Sequence, residues 1–328
     1  MKKKQMSKSH GRGRMVQISR DRGDMKRKKI ATLGMDPSAP VRVGAMERKK
    51  IAIVGVGLIG GSLALQLHEK KISSKLIGVD TNEFHAQKAL ELELVDEVLP
   101  LDDAIRQSDV VILAIPVDHM VTLLPKVLDR VNEKQFVIDL GSTKSELIDA
   151  VKSHPKRGRY VAAHPMWGTE YSGPQAAVKG AFENVAVVIC NAKESDGDAL
   201  EWTKRMFQKI GMRLLEMDAQ SHDLHAAYVS HISHITSFAL ANTVLEKERE
   251  EEAIFELASA GFESTVRLAK SNPAMWVPIF MQNRNNVLDV LNEHISQLRK
   301  FKSCLEKENH EYLLELIEHA NKIRSIIK

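Results

Sequence analysis

Residues Lys50 to Gly60 read KIAIVGVGLIG, and a second apolar run, LIGVD, closes on Asp80 twenty residues after Gly60. Ile51 to Val54 is a short continuous apolar run, the pattern of a parallel strand buried on both faces. Gly55, Gly57 and Gly60 take the GxGxxG positions directly after it, removing side chains where backbone must approach a pyrophosphate. From Leu58 the pattern turns helical, with Leu63, Ala64 and Leu67 recurring at three to four residues. The first N–H groups, at Leu58 and Ile59, are thus left to face an anion. An acid at Asp80 suits a ribose diol and would repel a 2′-phosphate, so the expected cofactor is NAD rather than NADP. A glycine-rich structural turn would explain the glycines alone; strand, helix and distal acid in register favour a cofactor site.

The same grammar continues downstream. Val110 to Ile115 (VVILAI) is a strand candidate closed by Pro116, which joins the expected cofactor-binding set. Phe136 to Leu140 (FVIDL), Tyr160 to His164 (YVAAH), Asn184 to Cys190 and Met212 to Met217 follow as strands. Val117 to Arg130 reads as a helix that Pro125 should bend or split. Strands alternating with helices predict an α/β, Rossmann-like, doubly wound parallel sheet over residues 49–217. From Asp218 helical spacing persists without a convincing strand, so residues 218–328 are expected to form an all-α domain that binds substrate and dimerises. Leu288, Leu291, Ile295 and Leu298 make one apolar stripe, continued by Leu313, Leu314, Leu316 and Ile317. A twofold-related copy would bury these stripes in a homodimer, and a monomeric bundle is the alternative.

Charge is unevenly spread. Residues 1–50 hold 16 Lys or Arg and four acids, a net +12, against −8 for the remainder, so the overall +4 describes the beginning of the chain and not its body. A nucleic-acid-binding reading of the whole chain fails on that ground. Residues 1–48 have little periodicity and few large apolar residues and read as a disordered basic extension. Translation starting at Met46, a basic interaction arm and a targeting peptide are its three possible origins. No apolar run is long enough for a membrane span, which points to a cytoplasmic protein. Cys190 and Cys304 have neither metal spacing nor a CxxC partner and are expected to be reduced and buried.

The informative polar residues sit at strand ends, where a doubly wound sheet places its ligand crevice. Gly141, Ser142, Thr143 and Lys144 follow FVIDL, and His164 ends YVAAH. A histidine can take a hydroxyl proton while hydride leaves the same carbon, because its pKa of about 6.5 makes both forms accessible near neutrality. Ser142 could set its tautomer. A lone histidine is more often a satisfied core residue; the polar, glycine-rich PMWGTEYSGP loop after His164 argues for a site. The helical histidines His222, His225, His231 and His234 lack the HExxH arrangement and an acid on the same face, so no metal is expected.

IDLGSTKSEL, AAHPMWGTEYSGP, SHDLHAAYVSHISHITSFAL and AGFESTVRLAKSNPAMW resemble, in order, motifs of the prephenate and arogenate dehydrogenases of tyrosine biosynthesis, over about residues 50–300. The resemblance implies oxidative decarboxylation of prephenate to 4-hydroxyphenylpyruvate with NAD, with arogenate as the rival substrate. It implies His164 as the catalytic base and Ser142 as the residue that orients it. His234 and Arg267 would hold substrate carboxylates, for which a guanidinium fork is well shaped. Ser230, His231 and Trp276 would lie near the same pocket, and Glu170 is the acid of the GTE turn. Tyrosine, being product-like, could compete for that pocket. Three departures stand out: Trp167 after HPM, which could alter the pocket mouth; Ser264 where an acid often supports the arginine; and Thr143 for Val. A β-hydroxyacid dehydrogenase would need a catalytic Lys with a nearby Asn on the first long helix, where this chain has histidines. A non-catalytic NAD-sensing protein would bind cofactor without turnover.

Overall fold

The computed structural model describes residues 46–249 and 253–327. The expected disordered extension lies outside the described residues up to residue 45. Met46 to Arg48, also assigned to it, instead pack on the sheet domain. Met46 joins the core, the Glu47 carbonyl accepts from Trp202 Nε1 at 3.3 Å, and Arg48 Nε donates to the Ser73 carbonyl at 2.9 Å.

Eight strands form one sheet: β1 Lys49–Val54, β2 Ser73–Val79, β3 Glu97–Val98, β4 Val110–Leu113, β5 Phe136–Asp139, β6 Tyr160–Pro165, β7 Ala186–Cys190 and β8 Arg213–Met217. Their spatial order is β3-β2-β1-β4-β5-β6-β7-β8. The continuous apolar runs are explained by the two cores. Ile51, Ile53, Val110, Ile112, Phe136 and Ile138 face one core, with α1 (Leu58–Glu69), α2 (Glu83–Glu91) and α6 (Gly197–Ile210) packed over it. Ala52, Val54, Val111, Leu113 and Val137 face the other, under α3 (Leu101–Gln107), α4 (Val117–Arg130) and α5 (Ser145–Val151). Each large aliphatic buried this way contributes roughly 1.5–3 kcal/mol, so alternation in facing, not in polarity, holds the sheet between its helix layers. Between the ends of β1 and β4 the winding reverses direction, which opens the ligand crevice.

Two strands depart from the expected all-parallel order: β7 runs antiparallel to β6, and β8 runs parallel to β7. The chain between β6 and β7 contains only a short 3-10 turn at Pro174–Ala176 and no crossover helix, and a parallel return needs such a helix. This linker lies over α1 as a strap. Val178 N donates to Ser62 Oγ at 2.9 Å and Phe182 N to Gln66 Oε1 at 3.3 Å. Trp167 packs edge-on against Phe182, ring centroids 5.3 Å apart, so it braces the strap. Pro125 neither splits nor ends α4, which runs unbroken from Val117 to Arg130.

Residues after β8 are helical: α7 Ala219–Ala226, a π-helical turn Ala227–His231, α8 Ile232–Glu248, α9 Ala260–Val266, a 3-10 turn Arg267–Lys270, α10 Pro273–Gln282, α11 Arg284–Glu306 and α12 His310–Asn321. α10 docks on the sheet domain through Trp276 and Ile279 against Val117. α11 turns Val287 and Val290 inward against Ala227, whereas Leu288, Leu298, Leu305, Leu314 and Ile317 stay exposed. That leaves part of the predicted apolar stripe on the surface of the single chain.

Candidate active site

Each glycine of the fingerprint has its own reason. Gly55 has φ +92°, and a Cβ there would meet the Ala114 carbonyl oxygen at 2.6 Å, so it lets β1 end close beside β4. Gly60 lets α1 approach the loop, since its Cβ would lie 2.0 Å from the Gly55 carbonyl oxygen. Gly57 is different: a Cβ there would meet nothing within 4 Å. It faces the open space in front of the α1 N-terminus, which no side chain caps. A pyrophosphate fits there, with the backbone N–H groups of Leu58, which is buried, and partly buried Ile59 at the helix start. Asp80 closes the adjoining side: Oδ2 accepts from Val56 N at 3.2 Å and Oδ1 from Asn82 N at 2.9 Å, leaving lone pairs for a diol. Pro116 stands exposed at the N-cap of α4, just after β4 on the same rim.

Beyond β4 the rim carries an ionic cluster. The Asp139 side chain, wholly buried at the end of β5, accepts from Gly141 N at 2.8 Å and Tyr160 Oη at 2.6 Å and pairs with the equally buried Lys144 ammonium. Two charges removed from water are tolerable only when paired and hydrogen-bonded, and this pair fixes the loop after β5. The next strand end presents His164, buried, with Nδ1 at 2.8 Å from His222 Nε2. His222 Nδ1 lies 2.8 Å from Asp223 Oδ1. Asp223 in turn accepts Lys144 N through Oδ1 and Ser145 N through Oδ2, both at 2.9 Å. Burial pushes the His164 ring well below the usual imidazole pKa, and His222, Lys144 and His231 push the same way, so it is neutral at pH 7 and keeps a lone pair that can accept a proton. The residue hydrogen-bonded to His164 is thus His222 and not Ser142, which is half-buried in the loop after β5.

The remaining expected residues divide into two groups. His234 stacks on Trp276, ring centroids 3.4 Å apart, and its Nδ1 donates to the Ser230 carbonyl at 3.1 Å, which leaves Nε2 unprotonated. Arg267, half-exposed, donates from Nη1 to Glu170 Oε2 at 2.7 Å, so the strap and the helical half meet at a guanidinium with further donors to spare. His231 is buried deeper, beside Trp276 and Phe280: its Nδ1 accepts from Asn283 Nδ2 at 3.1 Å, and burial lowers its pKa to about 4. Its surroundings are those of a packing residue. The π-helical turn that ends on it interrupts α7 and α8 inside the histidine motif, a common device at functional sites. Among the described residues no three or more His, Cys, Asp or Glu are grouped to hold a metal ion.

Sequence reasoning missed the His222–Asp223 pair, Asn283 and the Asp139–Lys144–Tyr160 cluster as members of the site. An adjacent His-Asp shortly after the last strand was the available signal.

An open dinucleotide cradle beside a buried neutral imidazole defines a nicotinamide-dependent dehydrogenase. Comparison with known proteins narrows the class. The model of the prephenate dehydrogenase nucleotide-binding domain matches residues 63–216, and that of the prephenate dehydrogenase dimerization domain matches residues 218–319. Prephenate dehydrogenase of Bacillus subtilis is 30% identical over 275 residues, 83% of this chain and 74% of that protein. Cyclohexadienyl dehydrogenase of Zymomonas mobilis is 29% identical over 84% of this chain and 95% of its own length. Among solved structures, prephenate dehydrogenase from Aquifex aeolicus in complex with hydroxyphenyl propionate and NAD+ superposes with a TM-score of 0.79 at 29% identity. The match covers 87% of this chain and all of that one. The chain belongs to the prephenate and arogenate dehydrogenase family, and its cofactor is NAD.

Proposed function

We propose that this chain is an NAD-dependent prephenate dehydrogenase, which converts prephenate to 4-hydroxyphenylpyruvate and carbon dioxide with formation of NADH. The observation that carries the reading is the neutral, buried His164 at the end of β6, with Nδ1 engaged by His222 and Nε2 left as the ring's basic nitrogen, on the rim that also holds the dinucleotide cradle. Bound NAD supplies the acceptor for the hydride that leaves C4 of the substrate. His164 takes the C4 hydroxyl proton as that carbon becomes trigonal. The ring carboxylate departs as carbon dioxide, its bonding pair completing the aromatic ring, and the phenolate oxygen so formed takes the proton back from His164. Arg267 offers a second carboxylate the donors that Glu170 leaves free, and His234, stiffened by its stack on Trp276, closes the side-chain end of the pocket. One general base in a preorganised site typically contributes ~10² to 10⁴ fold, and aromatisation supplies the driving force.

Arogenate is the second reading, favoured by the Glu170 carboxylate beside Arg267, which could meet an ammonium. The division at residues 217/218, a homodimer formed over the exposed α11 and α12 apolar residues, a cytoplasmic location and competitive inhibition by tyrosine belong to the same proposal. They draw support from the dimerization-domain match and from the absence, among the described residues, of a helix long and apolar enough to cross a membrane. NADH absorbance measured with prephenate and arogenate, each with NAD and NADP, is the test. Turnover is expected with prephenate and NAD; a large preference for arogenate would move the assignment to the second reading, and no turnover on either would overturn both.

A further inference from the structure

We infer that His222 and Asp223 act on the reaction through His164, holding its ring in one tautomer and balancing the positive charge it gains from the substrate's proton. The inference rests on the reading of His164 as the base.

The tautomer follows from hydrogen-bond direction alone. A carboxylate only accepts, so at the 2.8 Å contact His222 Nδ1 carries the hydrogen and Asp223 Oδ1 receives it. His222 is held neutral because burial lowers its pKa, so its Nε2 is a lone pair. The 2.8 Å contact from that lone pair to His164 Nδ1 then requires Nδ1 to be the donor. His164 Nε2 is left unprotonated, the form a base must have. In the other tautomer two lone pairs would face each other in a buried place. Losing such a bond costs about 1–3 kcal/mol, a bias of roughly 5- to 150-fold toward the competent form.

The charge balance follows from which groups are buried together. The ionisable groups around the two rings are Asp139 from the end of β5, Lys144 from the loop after it, Asp223 from α7 and His231 from the π-helical turn. With the imidazoles neutral, Asp139, Lys144 and Asp223 carry a net −1, and a proton on His164 brings the cluster to zero. Asp223 cannot swing away, because Lys144 N and Ser145 N hold its carboxylate and Asn283 Nδ2 donates to its carbonyl at 2.6 Å. Neither residue is placed to touch substrate directly, so both are positioning residues.

The test compares wild type with His222→Leu and His222→Gln, reading kcat, the KM values for prephenate and NAD, the kcat–pH profile, and the His164 tautomer by 15N–1H correlation in labelled protein. Leu removes the acceptor, and kcat should fall at least ~10²-fold, within the range of a lost general base, with both KM values within about threefold. The acid limb of the kcat–pH profile should shift, because the group that accepts from His164 Nδ1 is gone. Gln keeps a carbonyl that can accept from Nδ1–H and should recover about tenfold or more of the lost kcat. In wild type His164 should carry its hydrogen on Nδ1. Finding it on Nε2 would overturn the inference, as would a loss confined to KM or a Leu variant with wild-type kcat and acid limb. If wild type itself makes no NADH from prephenate or arogenate, the functional reading fails, and the tautomer measurement still decides whether His222 and Asp223 set the ring.

Discussion

Two glycines three residues apart should fail in opposite ways when each is replaced by alanine. At Gly60 the new Cβ would stand 2.0 Å from the Gly55 carbonyl oxygen and 3.0 Å from Ile53 Cγ2. Carbon–oxygen contacts settle near about 3.3 Å, so α1 must move off the loop by more than ~1 Å. The obstruction is backbone, which no rotamer change relieves. Overpacking of this kind costs about 1–3 kcal/mol, and because alanine's better helix propensity returns up to ~1 kcal/mol, we expect a net loss of about 1–2 kcal/mol. At about 2–4 °C per kcal/mol, Tm should fall by roughly 2–8 °C.

Gly57→Ala places its methyl in open space at φ −74°, outside the left-handed region that demands glycine. The apo protein should be unchanged or gain up to ~1 kcal/mol from the stiffened unfolded chain. The methyl then occupies the ground where the pyrophosphate meets the helix start. Thermal unfolding with and without NAD separates the two effects. Saturating ligand at 100 times Kd adds about 2.7 kcal/mol to wild type, and that increment should shrink by at least ~1.4 kcal/mol in Gly57→Ala, a tenfold loss of affinity. Gly60→Ala should lower the apo Tm. A Gly57→Ala protein that binds NAD as wild type does would refute the placement of the pyrophosphate, and a Gly60→Ala protein with unchanged apo Tm would refute the packing argument.

Asp139→Asn leaves the fully buried Lys144 ammonium without its carboxylate and should cost about 3–5 kcal/mol in denaturant unfolding. Adding Lys144→Met to that variant should restore much of the loss, and failure to do so would mean that the pair is not what holds the loop. Arg267→Gln should raise KM for substrate while leaving stability within about 0.5 kcal/mol, since the guanidinium is half-exposed; an unchanged KM would remove Arg267 from the site. Stability should also fall as pH drops from about 6.5 towards 4. His231 is neutral when folded down to about pH 4 whereas the unfolded chain binds its proton from about 6.5, a loss on the order of 3 kcal/mol. His164, His222 and His234 shift in the same direction and add to the slope. Denaturation curves between pH 7 and 4 should flatten in His231→Phe, and an equally steep dependence there would show that other groups carry it.

The central strands were legible because what stabilises them is local. Ile51 to Val54 alternates between two cores only four residues long, and Gly55, Gly60 and Asp80 are tied to that strand's end by chain geometry. β3, two residues long, and α5, seven, are too short for any period to show. Ser142 was expected at the His164 ring, where the hydrogen bond observed comes from His222, 58 residues away. That misreading and the reversed β7 have a common origin. Ala162 pairs with Cys190, and Cys190 with Met217, so β8 ends level with the middle of β6. Asp218 caps the next helix there by accepting Ser221 N, and within one turn α7 brings His222 against His164. Asp139 pairs with Ala162 too, so the end of β8 stands level with the end of β5, and α7 begins beside it. The strap without a helix between β6 and β7 was therefore the decisive signal for the site as well as for the fold. It turns β7 over, and the reversal delivers the His-Asp pair to the base.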